Sequence, residues 1–280
     1  MHNSSLFLLF IGCSDQTVFF ADPITNAKDN QTLMHIPGGT YQIGSNLYTH
    51  DESPQHPVSL SDFYLGKTEV TNAQFSLFLN ENSNEEERQQ WIGLRQDLPR
   101  GALISFTGTR FRPHYGYEEH PVLGVSYFGA VAYCRWAGLR LPTEEEWEVA
   151  ARGGNPNATY PWGDESPEGR ANYNQKWRDS EKNPPTTPVG LFPENGYGLV
   201  DMAGNVQEWT SSRYRPYLIE ELPEEIRASL DGKRVVRGGG FNGTEEDLRV
   251  SFRRNYVERI RSYYTGGLGF RCAQDTGKKK

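Results

Sequence analysis

Residues 195–209, NGYGLVDMAGNVQEW, constrain this chain more than any other stretch. Gly196, Gly198 and Gly204, with Gly190 just upstream, surround two carboxylates, Asp201 and Glu208. Glycine belongs where the backbone takes positive φ or passes close to another group. Carbonyls exposed by such turns, joined by carboxylates, make oxygen-rich pockets for hard cations. The stretch therefore reads either as a rigid calcium-binding loop or as a tight turn between two strands. Its character extends to the whole chain: 29 Gly, 17 Pro and 12% aromatic residues point to a loop-rich fold built on aromatic anchors rather than a helical bundle.

At 280 residues the chain is long enough to bury roughly three quarters of its unfolded surface. A net charge of −7 excludes a nucleic-acid binder, which needs a concentrated basic surface. The basic run Lys278–Lys280 is a terminal tail, residues 276–280. Cysteines number three, Cys13, Cys134 and Cys272, an odd count that needs explaining. Leu6 to Gly12, LFLLFIG, is a short apolar run ending in a small residue before Cys13, and residues 1–13 resemble the leader of a bacterial lipoprotein. No Lys or Arg precedes the run, and Phe10 stands where such leaders usually carry Leu, so lipidation of Cys13, cleaved secretion and a cytosolic chain all stay open. With Cys13 lipidated, an even pair remains for an oxidising compartment, and the chain sits at the bacterial cell envelope, periplasmic or lipid-anchored.

Residues 14–32 show no sustained period and read as a tether, with one domain over 33–275. Leu33 to Ile43 carries two β-prone runs around Pro37-Gly38-Gly39, a hairpin signal, and His56 to Leu65 alternates like a strand. Thr71 with Gln74 forms a capping box for a helix near 72–79. Residues 81–118 read as a surface insertion with a short helix, and 215–232 as a second insertion with one helical turn. Ser126 caps a helix ended by Gly138, and Thr143 with Glu146 caps another ended by Gly153-Gly154. The whole is an α+β chain with two main helices and many short strands.

The segments IPGGTYQIGS, HPVSLSDFYLGKTEVTNAQF, HPVLGVSYFGAVAYCRWAGLRLPTEEEWEVAARGG, YPWGD, NGYGLVDMAGNVQEW, RVVRGGGF and GLGFRC stand in one order over residues 36–273. Together they resemble the sulfatase-modifying-factor, or formylglycine-generating-enzyme, family. The resemblance implies a C-type-lectin-like fold with little regular secondary structure. It implies a disulfide between Cys134 and Cys272, though two buried thiols remain the alternative; a loop of 138 residues closed this way is worth about 5 kcal/mol of unfolded-state entropy. It also implies calcium on Asp201 and Glu208 through side chains and on Gly204 and Val206 through carbonyls. A second calcium site would start at Asn172 and Tyr173, but its other half falls in 179–183, where this chain is shorter.

The chemistry departs from the family. Formylglycine-generating members hold copper on two cysteines after an RGGS segment, and here no cysteine lies between Gly238 and Arg271; Gly243 and Leu248 fall near the expected positions. Gly240 replaces the family's serine, Gln207 a tryptophan and Gly267 an asparagine. Copper-dependent formylglycine formation is not expected. Nor is an iron site, since His50 and His56, like His114 and His120, are six residues apart, not at the spacing of ligands on one helical face. Gln207, Gly240, Asn242, Gly243, Thr244 and Glu245 should line a polar cleft for a peptide, a glycan or an envelope protein, against the alternative of a solvated loop. Of the arginines that follow, Arg249, Arg253, Arg254, Arg259 and Arg261, most read as ion-pairing surface residues. Two functions are left: a non-catalytic binding member on a calcium-stiffened scaffold, or an enzyme of the wider family, of the non-haem-iron or siderophore-maturation type.

Overall fold

A computed structural model describes residues 21–48, 51–82, 84–94, 101–176, 185–217, 223–261 and 267–277. In chain order the elements are β1 (Ile24–Thr25), β2 (Thr32–Ile36), β3 (Gly39–Ile43), β4 (His56–Leu60), β5 (Phe63–Gly66), α1 (Asn72–Glu81), α2 (Glu85–Trp91), β6 (Ile104–Phe106), β7 (Phe111–Pro113), α3 (Tyr127–Trp136) and α4 (Glu144–Ala151). They continue with β8 (Gln207–Arg213), α5 (Glu224–Leu230), β9 (Lys233–Arg237), β10 (Arg254–Val257), β11 (Leu268–Gly269) and β12 (Ala273–Asp275).

The helices start where their caps dictate. Thr71 and Thr143 each accept a bond from the backbone three residues on, while Gln74 and Glu146 reach back to the cap amide. Ser126 accepts from the Gly129 amide. Helix α1 then buries Phe75, Phe78 and Leu79. Phe75 stacks on Tyr133 of α3 at 5.6 Å between ring centroids, and Phe270 closes the cluster edge-on. Each such ring contributes roughly 2–3 kcal/mol of burial. The expected disulfide joins Cys134 of α3 to Cys272, with Cα atoms 5.7 Å apart, and ties this helix to the chain's last strand region.

Strands assemble into two four-stranded sheets, ordered β1-β2-β5-β12 and β10-β9-β8-β11, and two two-stranded ones, β3-β4 and β6-β7. In the second sheet β11 runs parallel to β8, pairing Leu268 with Gln207 and Gly269 with Glu208. That pairing carries residues 268–272 alongside the 195–209 loop.

Four sequence expectations change. Pro37-Gly38-Gly39 does not make a hairpin: β2 pairs with β5 and β3 with β4, so the turn carries the chain from one sheet to another. Gly38 fits because its amide donates to Asp62 Oδ1 and a Cβ there would meet that oxygen at 2.6 Å. The strand expected over 56–65 breaks at Ser61-Asp62 into β4 and β5, which belong to different sheets. The tether ends earlier than residue 32, because β1 pairs with β2 and buried Asp29 accepts the Tyr133 hydroxyl at 2.6 Å. Finally, 81–118 is more than a surface insertion: Leu94, Ala102, Ile104 and Phe111 belong to the main core, and Arg88 lies buried over the Phe111 ring. By contrast, α5 within 215–232 buries no residue, as a surface helix should.

Candidate functional site

Asn195 pins the start of the glycine-rich loop. Its Oδ1 accepts from the Tyr197 and Leu199 amides while its Nδ2 donates to the Ala150 and Ala151 carbonyls, capping the end of α4. Glycine is required at 204, where φ is +84° and a Cβ would meet the Asn172 carbonyl oxygen at 2.4 Å. Asp201 and Asn205 take left-handed backbone too, at φ +54° and +57°, a conformation that short polar side chains tolerate.

Beneath the loop lies a buried polar cluster. Arg271 binds Glu208 through Nε and Nη2 at 2.7–3.0 Å, and Trp147 of α4 donates to Glu208 Oε2 at 2.8 Å. The same guanidinium donates to the carbonyls of Gly66, Lys67, Val200 and Asp201, so one side chain stitches β5, the loop and β8 together. Glu69, just before α1, accepts from the Val206 amide at 3.0 Å and from Asn205 Nδ2 at 2.9 Å. Asp201 Oδ2 accepts from the Gly190 amide, while its Oδ1 is buried without a hydrogen-bond partner.

Burial, reinforced by Asp201 and Glu208, holds the Glu69 carboxyl well above the usual carboxylate range. Burial likewise raises Asp201, against the lowering pull of the Gly190 amide and Arg271. If all three carboxylates ionise against one guanidinium, two negative charges are left over, the charge of a divalent cation.

The expected calcium set is therefore split in its engagement. Asp201 supplies an uncommitted buried oxygen, a donor type that suits a cation. Glu208 does not fit as a second carboxylate ligand of that kind, because both of its oxygens are committed to Arg271 and Trp147. Among the described residues, no three His, Cys, Asp or Glu side chains are arranged around one ion position. Asn172 joins the same region, donating to the Pro185 carbonyl and Asn205 Oδ1. Tyr173 instead reaches Glu245 Oε1 at 3.3 Å, and residues 179–183 lie outside the described residues.

The expected cleft is also divided. Gln207 is buried as the first residue of β8, its amide donating to the Gly267 carbonyl, so it is not a rim residue. Gly240 and Gly243 are buried in one turn, joined by a bond from the Gly243 amide to the Gly240 carbonyl. Asn242, Thr244 and Glu245 are exposed. Leu248, at the second position expected for a copper ligand in relatives, is wholly buried against Ala171 and Ala203. His56, His114 and His120 go to three different partners, the Pro54 carbonyl, Ser105 and Thr186, while His50 and Cys13 lie outside the described residues.

Arg249 and Arg253 are buried, not surface, residues; they pair with Glu52 and Glu144. Glu69 and Arg271 are the site residues that sequence reasoning missed. Glu69 reads locally as a polar link between a strand and a capped helix; Arg271, a lone charge between Phe270 and Cys272, is the one that its apolar neighbours could have signalled.

Comparison with known proteins agrees with this architecture. The sulfatase-modifying factor enzyme 1-like domain matches residues 19–276. A formylglycine-generating enzyme of Mycobacterium tuberculosis is 37% identical over 292 residues, which takes in 87% of this chain and 97% of the enzyme. The serine/threonine-protein kinase Pkn1 of Chlamydia trachomatis is 37% identical over 255 residues, 87% of this chain, but the match spans only 38% of the kinase's length. The solved structure of PvdO from Pseudomonas aeruginosa, at 21% identity, shares the fold with a TM-score of 0.66 over 91% of this chain and 98% of PvdO. With a matching domain across nearly its whole length, the chain belongs to the sulfatase-modifying factor enzyme 1-like family.

Proposed function

We propose that this chain is a binding member of its family, which uses the scaffold to hold a partner or ligand and does not oxidise cysteine to formylglycine. The observation that carries this reading is the cysteine inventory: none lies between Gly238 and Arg271, and Cys134 and Cys272 are spent on a disulfide. A Cu(I) site built on thiolates has no ligand there. The exposed edge Asn242, Thr244 and Glu245, with Tyr173 bonded to Glu245, is the surface offered to a peptide, glycan or envelope protein. In this reading the chain works at the bacterial envelope, held there by lipid on Cys13, which intact-mass measurement of natively expressed protein would reveal.

Calcium is the cofactor in this proposal. Asp201 Oδ1 is the anionic ligand and the Gly204 and Val206 carbonyls the neutral ones, while Glu208 stays bonded to Arg271 and Trp147. The ion would neutralise the surplus carboxylate charge and stiffen the loop; it takes no part in a reaction. The direct test is to incubate the purified protein, supplied with copper and oxygen, with a sulfatase-type cysteine peptide and follow the peptide mass. The peptide should stay unchanged, and conversion to the aldehyde would overturn the proposal.

A further inference from the structure

A cavity of about 460 Å³ lies between the segment after β3 and the segment after α4, within the roughly 300–1,000 Å³ of small-molecule sites. It is distinct from the Asn242–Glu245 edge and shares none of its residues. Buried Arg152 and Ser251 contribute to its lining, and both are compensated. Arg152 donates to Glu148 and to the carbonyls of Gly44, Pro156 and Ala158. Ser251 donates to Glu52, which is paired with Arg249. An ionic ligand would meet no unbalanced charge among these groups.

The remaining polar lining is neutral: Asn46, Gln55, Asn157 and Thr159. Asn46 uses its Oδ1 on the Gln55 amide, and among the described residues its Nδ2 and the carboxamides of Gln55 and Asn157 make no other hydrogen bond. Six of the backbone donors around the cavity are already used. The amides of Gly44, Ser45, Leu47, Gln55, Asn157 and Thr159 donate to Glu148, Glu52, Ser45, Asn46, Asn155 and Asp164 respectively. Strand addition by an extended peptide, which depends on free main-chain donors, is disfavoured at those six positions. The groups most able to read a ligand are therefore side chains.

One of those side chains is aromatic. Tyr48 is 40% exposed, and the Arg249 guanidinium lies 4.2 Å from its ring centroid, so one face of the ring is held from within the protein. Its hydroxyl sits 3.5 Å from Thr159 Oγ1, which keeps the ring at the cavity wall. A braced ring beside several neutral carboxamides matches a ligand that has hydroxyl groups on its edges and an apolar C–H face.

We propose that this cavity binds a neutral saccharide, with Asn46, Gln55, Asn157 and Thr159 reading its hydroxyls and Tyr48 stacking on a sugar ring. The test is saturation-transfer NMR on the full chain against glucose, galactose, mannose, N-acetylglucosamine and their disaccharides, with glucuronic acid and a lysine-rich peptide as charged competitors, in calcium and in chelator. At least one neutral sugar should bind under both conditions. Tyr48→Ala and Asn157→Ala should each weaken it about tenfold or more, Tyr48→Phe should keep it, and Asn157→Ala should leave the melting temperature unchanged. Binding by none of the neutral sugars, preference for a charged competitor, dependence on calcium, or binding that survives both alanine variants would each overturn the proposal. Because the Asn242–Glu245 edge is separate, failure here leaves the binding role proposed above to its own test.

Discussion

The cluster beneath the 195–209 loop and the cluster around α4 are built from the same groups, carboxylates and guanidiniums shut away from water, but they differ in charge balance. Around α4, Glu144 is held between Arg237 and Arg253, Glu148 between Arg152 and Arg237, and Glu52 by Arg249, with Asp51 near Arg253. Four acids face four arginines. Burial alone would raise Glu144, but Arg237 and Arg253 together hold its carboxyl below the usual range. Under the loop, Glu69, Asp201 and Glu208 share Arg271, and the two acids not bonded to it titrate high. A balanced cluster holds itself together at neutral pH. An unbalanced one needs protons or a cation, and that surplus is what motivates the calcium proposal.

The largest effect that can break this contrast is on Arg271. Arg271→Met leaves Glu208 buried without its cation and removes four ties to carbonyls, and should cost about 3–5 kcal/mol in urea unfolding. A loss below about 1 kcal/mol would mean that the cluster is solvated and that its charge surplus carries no argument. Next comes the disulfide. Cys134→Ala with Cys272→Ala should cost about 2–5 kcal/mol, and because the two sulfurs lie in the apolar core and bond to each other rather than to any member of the loop cluster, the calcium response should survive in the double variant. Smaller again is calcium itself. Ion at about a hundred times its dissociation constant should add roughly 2.7 kcal/mol, seen as a drop in melting temperature on chelation. Asp201→Asn should abolish that response, while Glu52→Gln, in the balanced cluster, should keep it. A chelator that changes nothing would refute the calcium assignment.

How much of this contrast was legible in the sequence depends on distance along the chain. The caps at Thr71, Ser126 and Thr143 were readable because partner and cap lie three residues apart, and all three helices begin there. The family segments carried the fold and the Cys134–Cys272 pair. Sheet pairing was not readable at Pro37-Gly38-Gly39, where local turn chemistry is the same whether the chain reverses or changes sheet. The acids of α4 give no local sign of their burial. Glu144, Glu146 and Glu148 are buried because arginines 89 to 109 residues away, Arg140 six residues before Glu146 and Arg152 four residues after Glu148 come to meet them. Within the site, Asp201 and Glu208 were visible, but Glu69 enters from 137 residues upstream of Val206 and no local pattern announces it.

The finest test of the contrast is the pH dependence of stability in chelator. Glu69 and Asp201 have folded values raised above their unfolded ones, so their contribution is fully present below the ordinary carboxylate range and is lost as pH rises through the folded values. Glu144 has the opposite sign: its contribution is present above its ordinary value and lost only as pH falls through its lowered one. Between neutral pH and about pH 5 Glu144 therefore contributes a constant amount while Glu69 and Asp201 gain, and acidification over that window should stabilise the chelated protein. Glu69→Gln should flatten this rise, because an amide keeps the size of the carboxyl and removes its charge. Saturating calcium should flatten it as well, since a cation supplies the charge that the protons otherwise bring. A rise that persists unchanged in Glu69→Gln would place the titrating group elsewhere and remove the unbalanced cluster as the source of the chain's pH response.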